Sequence, residues 1–210
     1  MATGKLSLYN EALGILGQRR LSSLTEATEA RRSLDDVWDG VTAYCLENGA
    51  WNFAMRAAEF ASSTSVVPTI GYSYAFTKPD DWVRTNLISV NGNFDPPLLY
   101  YNDEGGYWYA NFDPIYVKYV SDHVGYGMDL SLWPESFVIY VANRMAVRVC
   151  KRLLGSDPTP EMKKDEKAAC ENARSKDAMN EPEMFPPRGT WVRSRSSWGS
   201  LSSRKDGYVF

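Results

Sequence analysis

The chain has 210 residues, balances 23 Lys and Arg against 26 Asp and Glu, and carries a formal net charge of −3. That length suffices for one sizeable core, and the charge balance excludes a globally basic nucleic-acid binder. Three cysteines at odd spacing (Cys45, Cys150, Cys170) and a single histidine exclude a four-ligand zinc site and an evenly paired disulfide scaffold.

The cysteines are expected to be small buried apolar groups in a reducing compartment. The start, Met1-Ala2-Thr3-Gly4-Lys5-Leu6, lacks the apolar block and cleavage site of a secretory signal. No apolar run approaches the roughly 20 residues that span a bilayer, so assembly in a cytoplasm, away from membranes, is expected.

Leu8, Ala12, Ile15 and Leu16 fall on one helical stripe over 6–17, with Gly17 placed to end it. Ser23-Leu24-Thr25-Glu26 has the spacing of a capping box ahead of a long amphipathic helix. That helix carries Ala30, Leu34, Val37, Val41, Tyr44 and Asn48 at steps of four and three, widened by Trp38 and Cys45 and stopped by Asn48-Gly49. From about Asn52 the period shifts toward two. Tyr72, Tyr74 and Phe76 alternate with small residues, Trp82 to Asn91 reads as a second strand, and Asn91-Gly92 as a hairpin dipeptide. Leu98 to Asn102 and Tyr107 to Ala110 flank the turn Asp103-Glu104-Gly105-Gly106, and Ile115 to Val120 alternates again. Short strands broken by Gly, Pro and Asn predict a small antiparallel sheet or sandwich.

Helical character returns after Pro134, with Val138, Ala142, Met145, Val149 and Leu153 on one stripe and Gly155 closing it. Thr159-Pro160-Glu161 opens a charged, alanine-rich helix that runs to about Asn180, before Pro182. The expected fold class is therefore α+β. Helices in 1–60 and 131–182 form a bundle, 61–130 is an inserted antiparallel β domain, and 183–210 is an extended arm. In that arm Arg188, Arg193, Arg195, Arg204 and Lys205 stand against the single acid Asp206 over 184–210. Aromatics are interspersed, which a purely disordered tail would lack. Phe185, Arg188, Trp191, Arg193, Arg195, Trp198, Tyr208 and Phe210 are thus the expected docking residues, since aromatic and arginine side chains anchor interfaces. Extended, such an arm reaches about 90 Å.

Patterns that carry catalytic chemistry are sparse in the chain. Ser121-Asp122-His123 holds the three residue types of a hydrolytic triad, without the nucleophile elbow that would support one. Asp35-Asp36, Asp80-Asp81 and Asp103-Glu104 are paired carboxylates, the last two beside aromatics that suit sugar rings. Gly14-Ile15-Leu16-Gly17 lacks the lysine and strand of a phosphate loop. Arg19-Arg20 and Arg31-Arg32 read as solvated or subunit-bridging charges. No catalytic group, cofactor or metal is expected.

Tyr9-Asn10-Glu11-Ala12-Leu13-Gly14-Ile15-Leu16-Gly17, Leu21-Ser22-Ser23-Leu24-Thr25-Glu26, the long helix, and Trp51-Asn52-Phe53-Ala54 with Arg56 follow one another in a specific order. Together they resemble the tail tubular protein A, or head-to-tail adaptor, family of short-tailed bacteriophages. A second match runs from Tyr72 to Val90 through Lys78-Pro79-Asp80-Asp81. The resemblance covers 1–90 closely and 135–155 loosely. It implies a helical bundle with a small β domain, assembled as a twelve-subunit ring between the portal protein and the tail nozzle protein. Genome DNA would pass through the lumen without sequence-specific binding, and the protein would reside in the virion neck. An acidic wall suits that passage because it does not hold phosphate. The alternative function is a carbohydrate-binding or carbohydrate-hydrolysing tail component that holds glycan on its aromatic β region.

Overall fold

In the computed structural model, which describes residues 4–68 and 70–180, four helices and two three-stranded antiparallel sheets make an α+β fold. Helix α1 spans Lys5–Ile15, α2 Glu29–Glu47, α3 Glu135–Leu154 and α4 Pro160–Ala178. The apolar stripe of α3 (Val138, Ala142, Met145, Val149) is buried, and α3 packs against all three other helices. Gly155, at φ 71°, supplies the left-handed residue that ends α3. Thr159 caps α4 by accepting the N–H of Met162 at 3.2 Å, with Pro160 in the first turn. Most of α4 faces solvent, with Ala173 and Asp177 turned inward.

Two helical details differ from the sequence expectation. Tyr9 and Leu13 of α1 are fully buried while Ile15 is exposed, so the buried stripe is rotated toward the side that meets α3. The capping box does not start α2. Thr28 does, accepting the N–H of Arg31, while Glu26 turns back onto the N–H and hydroxyl of Ser22 at 2.9 and 3.0 Å. Ser23 to Glu26 is therefore a self-contained turn, and the helix begins where Thr28 offers an acceptor beside Glu29.

Strands β1 (Met55–Phe60), β6 (Ile115–Ser121) and β3 (Trp82–Ser89) form one sheet in the order β1-β6-β3. Strands β2 (Tyr74–Thr77), β5 (Tyr107–Ala110) and β4 (Asn102–Glu104) form the other, in the order β2-β5-β4. Strand β1 falls inside the segment 1–60 expected to be helical. It pairs with β6 along its whole length, Met55 with Val120 through Phe60 with Ile115. The expected strand from Leu98 to Asn102 is displaced. Pro97 makes one bridge to Ser89, the Leu98 N–H reaches Ile88 O at 2.8 Å, and the ladder proper starts at Asn102. Pro96 and Pro97 lack the N–H groups a longer strand there would need. The β4–β5 hairpin turns through Gly105 and Gly106 at φ 60° and 81°, the pair of left-handed residues that a tight two-residue hairpin requires.

Strand β6 couples two cores because consecutive residues point to opposite faces. Ile115, Val117 and Tyr119 join Phe76, Ile88, Trp108 and Ala110 between the sheets. Val120 joins the helical core instead, with Trp51, Ala54, Phe137 and Val141. The ring of Trp51 lies 4.8 Å edge-on from Phe137, and its Nε1 donates to Cys45 O at 2.9 Å, pinning the end of α2 to α3.

Candidate interaction surfaces

Just before β3, Asp81 accepts hydrogen bonds from Arg56 Nη1 at 2.8 Å, Tyr119 OH at 3.2 Å and Ser121 Oγ. Arg56 also lies over the Tyr126 ring at 5.6 Å. Burial pushes the Asp81 carboxyl up, but the hydrogen bonds from Ser121 and Arg56 and the guanidinium charge outweigh it, holding Asp81 below the usual carboxylate range. This network ties β1, β3 and β6 together. It also separates the hydrolytic trio: the Ser121 hydroxyl is buried and given to Asp81, while His123 Nδ1 accepts the N–H of Gly125 at 3.1 Å. A nucleophile needs its hydroxyl on the imidazole, and here the two face different partners.

The other paired carboxylates separate as well. Asp35 accepts from Tyr9 OH at 2.8 Å and Arg31 Nη1 at 2.6 Å, whereas Asp36 pairs with Arg152. Arg31 is thus held in a pair within α2, and the Tyr9–Asp35 bond locks α1 to α2. Asp103 bonds Lys78 and accepts from Thr85 Oγ1 at 2.9 Å, whereas Glu104, next along the strand, points to the opposite face. Thr85 Oγ1 also takes the indole N–H groups of Trp82 at 3.1 Å and Trp108 at 2.8 Å, and Lys78 Nζ sits 3.5 Å over the Trp82 ring. This second network fastens one sheet to the other. A third set holds α4 against the bundle: Arg144 Nη1 to Glu166 at 2.7 Å, and the N–H of Asn52 to Asp177 Oδ2 at 3.0 Å. Burial pushes the Cys45 thiol up to about 12, so it stays a packed, protonated group.

The residues that carry the family resemblance turn out to hold the fold. Asn10 clamps the chain after α1, its side chain accepting the Leu21 N–H at 2.7 Å and donating to Leu21 O at 3.1 Å. Tyr9, Leu13, Trp51 and Ala54 are core.

Most of the strongly exposed large apolar side chains lie on connecting loops, while Ile15, Tyr44, Ile139 and Leu154 are exposed on helices. Leu99 and Tyr100, between β3 and β4, are 77% and 83% exposed, and Val124, between β6 and α3, is 76% exposed. Two hollows open elsewhere on the surface. One, of about 360 Å³, lies between Val66, Pro68, Ile70 and Tyr72 on one side and Asn102, Glu104 and Tyr109 on the other. The other, of about 270 Å³, lies between α2, α3 and α4 and includes Tyr44, Tyr140, Cys170 and Arg174. Sequence patterning missed both. The Tyr107-Trp108-Tyr109 alternation held one usable signal, because a buried Trp108 forces both tyrosines onto the other face. Among the described residues no helix is long and apolar enough to cross a membrane, and no group of three or more His, Cys, Asp or Glu is placed to hold a metal ion. The docking residues expected from sequence, Phe185, Arg188, Trp191, Arg193, Arg195, Trp198, Tyr208 and Phe210, lie outside the described residues. No protein-family model matches the sequence, and no curated protein sequence matches it.

Proposed function

We propose that the chain is a structural ring subunit of a tailed bacteriophage, an adaptor that joins the portal to the tail nozzle and lines part of the DNA ejection channel. The observation that carries this reading is the placement of exposed apolar side chains on two separate connections. Leu99 and Tyr100 stand on one, Val124 and Leu132 on the other. A ring built by head-to-tail contact needs two different, mutually complementary surfaces on every subunit, and large exposed apolar side chains are what such surfaces are made of. The ionic networks lend further support, because Asp35, Asp81 and Asp103 each stabilise the subunit rather than line an open cleft. The arm of residues 183–210 then docks on the portal or on a neighbouring subunit through its aromatic and arginine side chains. An acidic chain suits the lumen, since a wall without net positive charge does not hold a moving duplex.

The test is to mix the purified chain with portal rings from the same genome and image the mixture by negative stain. A second ring layer under each portal is expected. Bare portals at tenfold molar excess of the chain would contradict the proposal.

A further inference from the structure

The outer face of the β2-β5-β4 sheet has features that none of the three networks above uses. Across β4 and β5, Asn102 pairs with Tyr109, Asp103 with Trp108, and Glu104 with Tyr107. Trp108 and Asp103 are committed to the inner face by their bonds to Thr85. Tyr107, Tyr109, Asn102 and Glu104 therefore share the outer face. The two tyrosine rings stand 6.2 Å apart, tilted by 49°, and each has a polar side chain directly across the ladder. Beside Tyr109 the surface deepens into the groove of about 360 Å³, walled by Val66, Pro68 and Tyr72. Asn102 Oδ1 accepts the N–H of Asp103 at 3.1 Å, which fixes the orientation of its amide.

We infer that this face is a binding site for an uncharged polysaccharide segment. A pyranose ring presents an apolar C–H face and a rim of hydroxyls. A tyrosine ring covers the former, and an amide or carboxylate beside it accepts or donates to the latter. The face repeats that unit twice, as Tyr109 with Asn102 and Tyr107 with Glu104. Its amphipathic rings sit on a hydrogen-bonded strand, so little side-chain freedom is lost on binding. Charge narrows the ligand: the groove contains Glu104 and no lysine or arginine, which disfavours nucleic acid and acidic glycans. The site binds and does not cleave. Glycoside hydrolysis needs two carboxyl groups facing one bond at roughly 5–10 Å, and Asp103 faces away from Glu104 into its bond with Lys78.

The site is independent of the adaptor role, since a chain that never formed a ring would still bind sugar here. Native electrophoresis of the full chain through gels containing glycogen, dextran or galactomannan tests it. Retardation by at least one of the three is expected, with affinity falling about tenfold or more in the Tyr107→Ala/Tyr109→Ala double variant, equivalent to about 1.4 kcal/mol. Should that variant fold poorly by circular dichroism, Asn102→Ala/Glu104→Ala decides, because both side chains are exposed and it is expected to lose retardation with an unchanged unfolding midpoint. Migration unaffected by all three polysaccharides, or equal retardation of wild type and the polar double variant, overturns the inference. So does a polar double variant that keeps its sugar binding but no longer assembles on portals, which would make the face a protein contact.

Discussion

Replacing Trp108 by alanine is expected to remove a large part of the stability of the folded unit. The side chain is fully buried, lies 5.2 Å edge-on from Phe60, and donates its indole N–H to Thr85 Oγ1 at 2.8 Å. Large-to-small core substitution of an aromatic costs about 3–5 kcal/mol, of which the lost hydrogen bond accounts for roughly 1. Thr85 would not be orphaned, because Trp82 still donates to it at 3.1 Å and it still donates to Asp103 at 2.9 Å. The packing loss therefore dominates, and Trp108→Phe, which keeps most of the buried ring, should cost only about 1–2 kcal/mol. Against a total of roughly 5–15 kcal/mol for a domain, the alanine change brings the chain close to its unfolding threshold. Urea unfolding followed by far-ultraviolet circular dichroism measures both variants against wild type. Equal costs for alanine and phenylalanine would mean that the hydrogen bond, not the packing, joins the sheets. A cost below about 1 kcal/mol for alanine would mean that the two sheets do not share a core.

Gly49→Ala places a methyl 2.6 Å from the Trp51 ring, and overpacking of this kind should cost about 1–3 kcal/mol in the same unfolding assay. Asp81 is expected to give the fold an acid-sensitive component. Its carboxyl is held below the usual range when folded, so its contribution is complete above about pH 4 and is lost as pH falls through the folded value. The stability gap between wild type and Asp81→Asn should accordingly narrow as pH falls below about 4, measured as unfolding midpoints; a gap that stays constant would contradict it. On the proposed docking role of residues 183–210, Trp191→Ala/Trp198→Ala should reduce occupancy of portal rings in negative-stain images, and unchanged occupancy would contradict that role.

Elements announced by local chemistry were legible in the sequence. The α3 stripe, Gly155 as its stop, Thr159-Pro160 as the start of α4, and the Gly105-Gly106 hairpin all stand where the patterns put them. Elements set by a distant partner were not. Met55-Arg56-Ala57-Ala58-Glu59-Phe60 is rich in helix formers, and only its ladder with β6 makes it a strand. Ser23 had cap spacing, yet Thr28 took the role because the turn through Glu26 closes on itself. The hubs at Asp35, Asp81 and Thr85 join residues far apart in the chain, which no short motif encodes. The aromatic face was half legible: Tyr107 to Ala110 was readable as a strand beside the Gly105-Gly106 turn, but which polar residues share a face with its tyrosines depends on register.

The most direct measurement is native mass spectrometry of portal assemblies before and after addition of the full chain. The ring-adaptor proposal predicts a discrete mass increase corresponding to twelve bound copies, with the chain alone remaining monomeric or weakly associated. Portal masses that do not change, or a chain that remains a single copy at every concentration and in every mixture, would contradict it.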